Sequence, residues 1–263
     1  MSLDFDNRPS LVAYVTCGDP DLPTTREIIL AAIDAGADVI ELGVPFSDPV
    51  ADGPVIQRAS ERAVRNGTTL EKVLAMAAEI RRRSQVGLII FSYYNPIFRY
   101  GIERFAAVLE EAGVDGALAT DLPADEAQEY LRVMRERRLA TVFLAAPTSS
   151  DNRLRQVVKA STGFVYAVSR TGVTGVRQEL TDDARRLVKR VRKFTKLPVA
   201  VGFGISTPEQ FMEVGRFADA AVVGSAIVNT IERNPGKEPE SVSQFITELL
   251  RLRRPAFTAI ARG

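Results

Sequence analysis

The chain has 263 residues, of which 46% are hydrophobic and 25% are charged, and its formal net charge is +1. This balance excludes the strong overall charge that is typical of proteins that bind nucleic acids or membrane surfaces. The sequence also contains no histidine, which excludes the commonest general acid–base residue and the commonest transition-metal ligand. Any catalysis must therefore depend on carboxylates, lysine, tyrosine, hydroxyl side chains or backbone dipoles.

The opening segment and the single cysteine predict a cytoplasmic protein. The segment MSLDFDNRPS is polar and lacks the apolar core of a signal peptide. No run of about 18 apolar residues is present that could cross a membrane. Cys17 has no second cysteine for an intrachain disulfide, and although it could line a site, we expect a small buried hydrophobic residue there.

Short apolar runs alternate with segments of helical periodicity along the whole chain. The runs predict strands at 11–17, 38–43, 86–94, 116–120, 140–146, 163–169, 198–203 and 220–225. Each is apolar at consecutive positions, as is typical of parallel strands covered on both faces. Eight βα units in this length predict one (β/α)8 TIM barrel domain over residues 1–263. An open doubly wound sheet is disfavoured because no GxGxxG follows the first strand.

The segments between strands carry the signals with which helices begin and end. Thr24 with Glu27 predicts a capping box at the start of the first helix, and Gly36 predicts its end. Thr207 with Gln210 predicts another capping box before the last strand.

Two charge patterns also fit this fold. The basic run RRLVKRVRKFTK at 185–196 has apolar residues at helical spacing, so we expect the solvated face of an outer helix rather than a functional basic patch. The segments DAGADVIELG, EAGVDGALATD and RFADAAVVGS each run from a helix end through an acid into a strand. Such a weak internal sequence repeat is typical of a repeated βα unit.

Glycines cluster in the loops after the last three predicted strands. These loops are GVTG (172–175), GFGIS (202–206) and GSAI (224–227). In such barrels the active site lies at the carboxyl ends of the strands, where glycine lets the backbone approach an oxyanion and a helix N-terminus favours negative charge. One loop alone would indicate only a tight turn, but three in register predict a phosphate site. Its expected residues are Gly175, Gly204, Gly224 and Ser225.

The segment ELGVPFSDPVADGP (41–54) places carboxylates where a buried strand becomes a loop. Glu41 lies near the end of the second strand among apolar residues, where a carboxylate would be partly desolvated and suited to proton transfer. Asp48 and Asp52 follow, and Asp52 lies far enough along the loop to fold back over a pocket. A structural role as turn residues suits Asp48 but does not explain Glu41.

The positions of the lysines further narrow the range of reactions that the site could catalyse. None lies at the carboxyl end of a predicted strand, which disfavours a Schiff-base aldolase, and the lack of histidine disfavours a zinc aldolase. A phosphorylated substrate, two carboxylates and the strand tyrosine Tyr166 are then consistent with acid–base chemistry that needs no cofactor and no metal.

Seven segments together resemble the α subunits of tryptophan synthase, in the right order and over nearly the whole chain. They are CGDPD (17–21), DAGADVIELGVPFSDPVADGPVIQ (34–57), YYNPI (93–97), AGVDGALATDLP (112–123), SRTGVTG (169–175), VGFGIS (201–206) and VVGSAIV (222–228). The second is the most specific. The resemblance implies a barrel that acts as a carbon–carbon lyase in tryptophan biosynthesis and cleaves indole-3-glycerol phosphate to indole and glyceraldehyde 3-phosphate. It also implies a β subunit as partner, in an αββα heterotetramer.

The resemblance implies roles for individual residues as well. Glu41 would be the general acid–base that protonates indole C3 and takes the glycerol hydroxyl proton. Asp52 would hold the indole N–H and stabilise the positive charge of the ring, and Thr174 would hydrogen-bond Asp52 in a closed loop. Tyr166 matches a strand-six tyrosine that packs near the glutamate. The residues that would line the indole pocket are Tyr14, Phe91 and Phe203.

Two departures from the family pattern stand out. The helix that usually precedes the first strand is missing or vestigial, which would weaken the barrel floor, and residue 120 is Thr where Ala or Pro is expected. We expect neither to touch the chemistry. The loops at 46–54 and 170–180 carry turn residues and small hydroxyls, which predicts lids over the site. The alternatives that stay open are a stand-alone indole-releasing lyase, a catalytically silent regulatory partner subunit, and another phosphate-binding barrel.

Overall fold

A computed structural model of the protein describes residues 3, 5–168, 177–202 and 204–253, with the backbone alone at 177–180. Strands and helices alternate along the chain. The strands are β1 (Ser10–Thr16), β2 (Val39–Gly43), β3 (Gly87–Ser92), β4 (Gly116–Ala119), β5 (Ala140–Ala145), β6 (Val165–Val168), β7 (Val199–Gly202) and β8 (Ala220–Val223). The helices are α1 (Leu22–Asp34), α2 (Pro54–Arg65), α3 (Leu70–Arg81), α4 (Tyr94–Tyr100), α5 (Ile102–Glu111), α6 (Gln128–Glu136), α7 (Asp151–Ala160), α8 (Arg177–Val191), α9 (Pro208–Val214), α10 (Ser225–Arg233) and α11 (Glu238–Leu250).

The strands form a closed barrel. All neighbouring strands are parallel, they follow chain order from β1 to β8, and β8 pairs back with β1. The predicted (β/α)8 TIM barrel is therefore confirmed, and every predicted strand is present with its ends shifted by at most one or two residues. Within the described ranges, no helix is long and apolar enough to cross a lipid bilayer.

Alternate residues of the strands point into the barrel and fill its interior. The buried inward side chains form one apolar cluster: Val12, Val39, Ile89, Leu118, Val142, Phe164, Ala200, Ala220 and Val222. Leu3 and Phe5, which precede β1, pack against this cluster, and the Phe5 ring contacts Phe164 edge-on at 5.5 Å. Residues 5–9 are not helical, so these two side chains contribute to the barrel floor without a helix at that position.

The acids of the repeated sequence pattern stand immediately before β2, β4 and β8. Each accepts a backbone N–H from the start of a neighbouring strand and binds an arginine at or just after the end of a helix. The contacts are Leu11 N–Asp38 at 2.7 Å with Arg253, Leu88 N–Asp115 at 2.9 Å with Arg81, and Val199 N–Asp219 at 2.9 Å with Arg192. We call Asp38, Asp115 and Asp219 the strand-start acids. They explain the acid that recurs in the internal sequence repeat, and they lie at the end of the barrel opposite the carboxyl-terminal loops.

The helix signals are confirmed in part. The predicted capping box of Thr24 and Glu27 is wrong, because the Asp21 side chain caps α1 by accepting the Thr24 N–H at 2.7 Å. Pro23 has no N–H and suits the first turn, so the helix starts before Thr24. The predicted end at Gly36 is confirmed by its φ of +105°, as is the capping box of α9. The basic run lies mainly on α8, whose apolar face is buried, as predicted.

Candidate active site

A cavity of about 190 Å³ opens at the carboxyl-terminal ends of the strands. Every strand, or the loop after it, contributes to its lining. Larger cavities of about 390 and 550 Å³ lie at the opposite end, beside Leu3 and Pro198, and neither is lined by Glu41 or Asp52. The carboxyl-terminal cavity is the candidate active site because it collects most of the residues predicted from the sequence. These are Tyr14, Asp52, Phe91, Tyr166, Gly204, Gly224 and Ser225.

Glu41 follows Val39 by two residues on β2, so its side chain also points into the barrel. It is completely buried, and neither carboxylate oxygen has a hydrogen-bond partner in the part of the chain that the structure describes. Burial raises the pKa of Glu41 to about 8, so the group is mainly protonated at neutral pH. Burial, followed by the charge of Glu41, also raises the pKa of Tyr166, which lines the cavity. The sequence predicted a partly desolvated carboxylate at Glu41, whereas the structure shows complete burial. Glu41 is not among the described residues that line the cavity.

Asp52 ends the loop after β2 and lines the cavity with a half-buried side chain. Its Oδ2 accepts a hydrogen bond from the Tyr93 hydroxyl at 3.2 Å, and that hydroxyl accepts the Ala51 N–H at 2.9 Å. Burial raises the pKa of Asp52 to about 6, although the Tyr93 hydrogen bond lowers it. Tyr93 therefore orients the carboxylate, a contact that sequence reasoning missed. The available signal was its position directly after β3, beside Ser92.

Aromatic and aliphatic side chains form one wall of the cavity. The Tyr14 and Phe91 rings meet edge-on with centroids 5.1 Å apart, and Leu144 lines the same space. Thr120 lines it as well, two residues beyond the inward Leu118. Residue 120 therefore lies at the candidate site, which the departure from the family pattern at this position did not indicate. The alternation of inward positions along β4 is the signal that places it there.

Backbone groups line the part of the cavity at the ends of β7 and β8. Gly204 has a φ of +80°, which favours glycine, and no heavy atom lies within 4 Å of where its Cβ would be. Gly224 is the N-cap of α10, and no side chain caps this helix. The N–H groups of the first turn from Ser225 onward are therefore free of intrahelical acceptors and of a cap. Such N–H groups beside a glycine suit a bound oxyanion.

Comparison with known proteins identifies the family of the chain. The sequence profile described as "Tryptophan synthase alpha chain" matches residues 2–255. The chain belongs to the tryptophan synthase alpha chain family. It is therefore a carbon–carbon lyase of tryptophan biosynthesis that cleaves indole-3-glycerol phosphate to indole and glyceraldehyde 3-phosphate, as the resemblance implied.

Relatives of the family match the chain over almost its whole length. The tryptophan synthase alpha chain of Solibacter usitatus is 53% identical and that of Geotalea daltonii 49%, over 88% and 89% of this chain and 87% and 88% of theirs. Among solved structures, the tryptophan synthase subunit of Pyrococcus furiosus is 40% identical with a TM-score of 0.87, covering 94% of this chain and 99% of its own. Tryptophan synthase from M. tuberculosis is 36% identical with a TM-score of 0.85, over 94% and 93% of the two chains.

Some predicted members of this tryptophan synthase α site lie outside the described residues. These are Thr174, Gly175 and Phe203, together with most of the predicted lid at 170–180. The other lid, 46–54, is described, and Asp48 and Val50 on it are exposed. Cys17 is a buried free cysteine that does not line the cavity, as expected of a small hydrophobic residue. In the described part of the chain, no cluster of three or more acidic or cysteine side chains could hold a metal ion.

Proposed function

We propose that the carboxyl-terminal cavity binds indole-3-glycerol phosphate with its indole ring against the aromatic wall and its phosphate at the glycine side. Tyr14 and Phe91 offer the ring an apolar cleft. Gly204, Gly224 and Ser225 offer the phosphate backbone N–H groups and a helix N-terminus, with no lysine or arginine among the described residues that line the cavity. Tyr166 closes the space between them.

The observation that carries the catalytic proposal is the buried, unpartnered carboxyl group of Glu41. With a pKa of about 8 it is protonated near neutrality and donates its proton to indole C3, which makes the ring an electron sink. The bond from C3 to the glycerol chain then breaks, the glycerol hydroxyl returns a proton to Glu41, and the bonding electrons neutralise the ring. No hydrogen bond to a described residue holds Glu41 in place, so its side chain can turn towards the cavity without breaking such a bond.

Asp52 stabilises the charged intermediate. Its pKa of about 6 leaves it ionised at neutral pH, and the Tyr93 hydroxyl fixes one carboxylate oxygen. The carboxylate accepts the indole N–H, which becomes more acidic once C3 is protonated. A negative charge in a partly desolvated site stabilises the cationic ring more than it would in water.

An assay of indole release from indole-3-glycerol phosphate tests these roles. We expect Glu41→Gln and Asp52→Asn to lower turnover by about 100- to 10,000-fold or more, while cooperative unfolding is retained. Asp48→Asn is the matched control, because Asp48 lies exposed on the same loop, and it should keep the intrinsic rate. Near-wild-type turnover of Glu41→Gln would show that Glu41 is not the general acid–base.

We also propose that a tryptophan synthase β subunit docks over this face, in an αββα heterotetramer. The support is the exposure of two large apolar side chains, Val50 at 76% and Phe98 at 62%. Val50 lies on the loop after β2 and Phe98 on α4 after β3, at the same end of the barrel as the cavity. Adding a β subunit to the indole-release assay distinguishes this partner role from a stand-alone lyase.

A further inference from the structure

Two arginines and two acids link α2 to α10 on the outside of the barrel. Arg62 donates from Nε and Nη2 to the two carboxylate oxygens of Asp19, at 2.8 Å each. Its remaining nitrogen, Nη1, donates to Glu232 at 2.8 Å. Arg58, one turn earlier on α2, binds both oxygens of Glu232 at 2.9 and 2.7 Å. We call Asp19, Arg58, Arg62 and Glu232 the α2–α10 bridge.

The bridge is better shielded from solvent than an ordinary surface ion pair. Asp19 on the β1–α1 loop is only 3% exposed, and the Arg62 and Glu232 side chains are 34% and 26% exposed. Hydrogen bonds from Arg58, and then from Arg62, lower the pKa of Glu232 to about 2. Bidentate arginine–carboxylate pairs fix direction as well as distance. Arg62 makes such a pair with Asp19 and one further hydrogen bond with Glu232, so it ties α2 to the β1–α1 loop and to α10 at once.

Both bridged helices begin at the candidate active site. Asp52 and Gly53 come directly before α2, and α10 begins at Ser225 on the glycine side of the cavity. Gln57 on the first turn of α2 donates to the Asp52 carbonyl at 2.9 Å, so the loop moves with its helix. Gly53 provides no side-chain cap that would fix the start of α2.

We propose that Arg62 is a positioning residue that sets the spacing between Asp52 and the phosphate-binding end of α10. This inference rests on the roles proposed above for Asp52, Gly224 and Ser225. The substrate carries its ring and its phosphate at opposite ends of one molecule, so a shift of one helix against the other separates the two binding sites. A misplacement of about 1 Å can cost about 100-fold in rate.

The test compares Arg62 variants with a control on the same helix. Arg65 is exposed and pairs with Glu61, so Arg65→Gln and Arg65→Lys should stay within about twofold of wild type. We expect Arg62→Gln to lower kcat/KM by about 10- to 100-fold. Arg62→Lys should fall nearly as far, because lysine cannot make the bidentate contact.

A pH profile separates positioning from simple stabilisation. Burial raises the pKa of Asp52 to about 6, so displacement of α2 exposes the carboxylate and moves the acidic limb of kcat/KM to lower pH. Arg62 variants that lose thermal stability but keep the wild-type kcat and acidic limb, below their unfolding temperature, would overturn the inference. If Arg62→Gln does not fold, Glu232→Gln keeps the Asp19 pair, and we expect the same limb shift with a loss of about 3- to 10-fold.

Asp52→Asn measured in parallel distinguishes a failure of the role proposed for Asp52 from a failure of the role proposed for Arg62. Full turnover in Asp52→Asn means that the proposed role of Asp52 is wrong, whatever the Arg62 variants do. An inactive Asp52→Asn together with Arg62 variants that match the Arg65 controls leaves the role of Asp52 intact and rejects the positioning role of Arg62.

Discussion

At the residue scale, the burial of Glu41 links catalysis to the pH dependence of folding. Burial raises its pKa from 4.5 in the unfolded chain to about 8 in the folded protein. Between these two values the folded state keeps a proton that the unfolded state releases, so this residue lowers stability progressively as pH rises. The site therefore retains a group that costs stability at neutral and alkaline pH.

We expect Glu41→Gln to raise the free energy of unfolding over wild type at pH 8, by about 2–4 kcal/mol, and to change it little near pH 4.5. Glutamine cannot ionise, so the alkaline penalty disappears. Urea unfolding of both proteins at the two pH values measures the difference, with Glu61→Gln on the surface as a control. Equal stability changes at both pH values would contradict the buried, protonated state of Glu41.

The two carboxyl groups also predict the pH dependence of catalysis. In the proposed mechanism Asp52 is ionised when it stabilises the ring, so activity should fall as pH drops below about 6. In the same mechanism Glu41 carries a proton at the start of the reaction, so activity should fall as pH rises above about 8. We expect a bell-shaped profile of kcat/KM between these limits. A profile that stays flat well above pH 8 would exclude Glu41 as the proton donor.

The glycines that line the cavity allow a separate prediction about the affinity for the phosphorylated substrate. A Cβ at Gly224 would meet Tyr14 at 3.4 Å, an ordinary contact, so Gly224→Val should fold while its side chain crowds the proposed phosphate site at the start of α10. We expect KM to rise by about tenfold or more, equivalent to about 1.4 kcal/mol of lost binding, with a smaller change in kcat. Inhibition by inorganic phosphate should weaken in parallel, and unchanged phosphate inhibition would place the anion elsewhere.

At the element scale, the strand-start acids explain how the repeated βα units are joined. Each ties the beginnings of two neighbouring strands together and holds an arginine. The β5–β6 pair uses a hydroxyl instead, where the Thr162 Oγ1 accepts the Thr141 N–H at 2.9 Å. The acids of the sequence repeat are thus structural, unlike Glu41 and Asp52 at the other end of the barrel.

We expect Asp115→Asn to lower the free energy of unfolding by about 3 kcal/mol, because Arg81, with a side chain only 11% exposed, loses its charged partner. Thr162→Ala should cost only about 1 kcal/mol. Chemical denaturation of both variants measures these losses. Neither variant should alter kcat in the folded protein, and a kcat defect in Asp115→Asn without a stability loss would contradict a structural role.

The elements were predictable from sequence where the signal is local. Continuous apolar runs located all eight strands because each strand is buried on both faces. The position of Tyr93 at the end of β3 was predictable, but its hydrogen bond to Asp52 was not, because 41 residues separate the two and the loop after β2 must first fold against β3. At the start of α1, two local signals compete, and Asp21 with Pro23 prevails over Thr24.

At the scale of the whole molecule, three of the four large apolar side chains that are exposed in the described part of the chain lie at the ends of the barrel, and the fourth, Val64, is on α2. Val50 and Phe98 lie at the end that carries the cavity. Leu252, 42% exposed, follows α11 next to Arg253, which binds a strand-start acid at the opposite end. A partner that docks on the first face covers the cavity mouth and the loop that holds Asp52, so indole would pass to it rather than into solvent.

We expect the isolated chain to be weakly active and a β subunit to stimulate indole release by about 5- to 150-fold, the range of a coupling free energy of 1–3 kcal/mol. Phe98→Glu places a charge on the docking face away from the cavity lining, so it should keep the basal rate and require a higher concentration of β subunit for the same stimulation. Leu252→Glu is the matched control at the other end, and its response to the β subunit should equal that of wild type. If saturating β subunit leaves the rate unchanged, a stand-alone lyase is the better account. If Leu252→Glu impairs stimulation as much as Phe98→Glu does, the partner docks elsewhere.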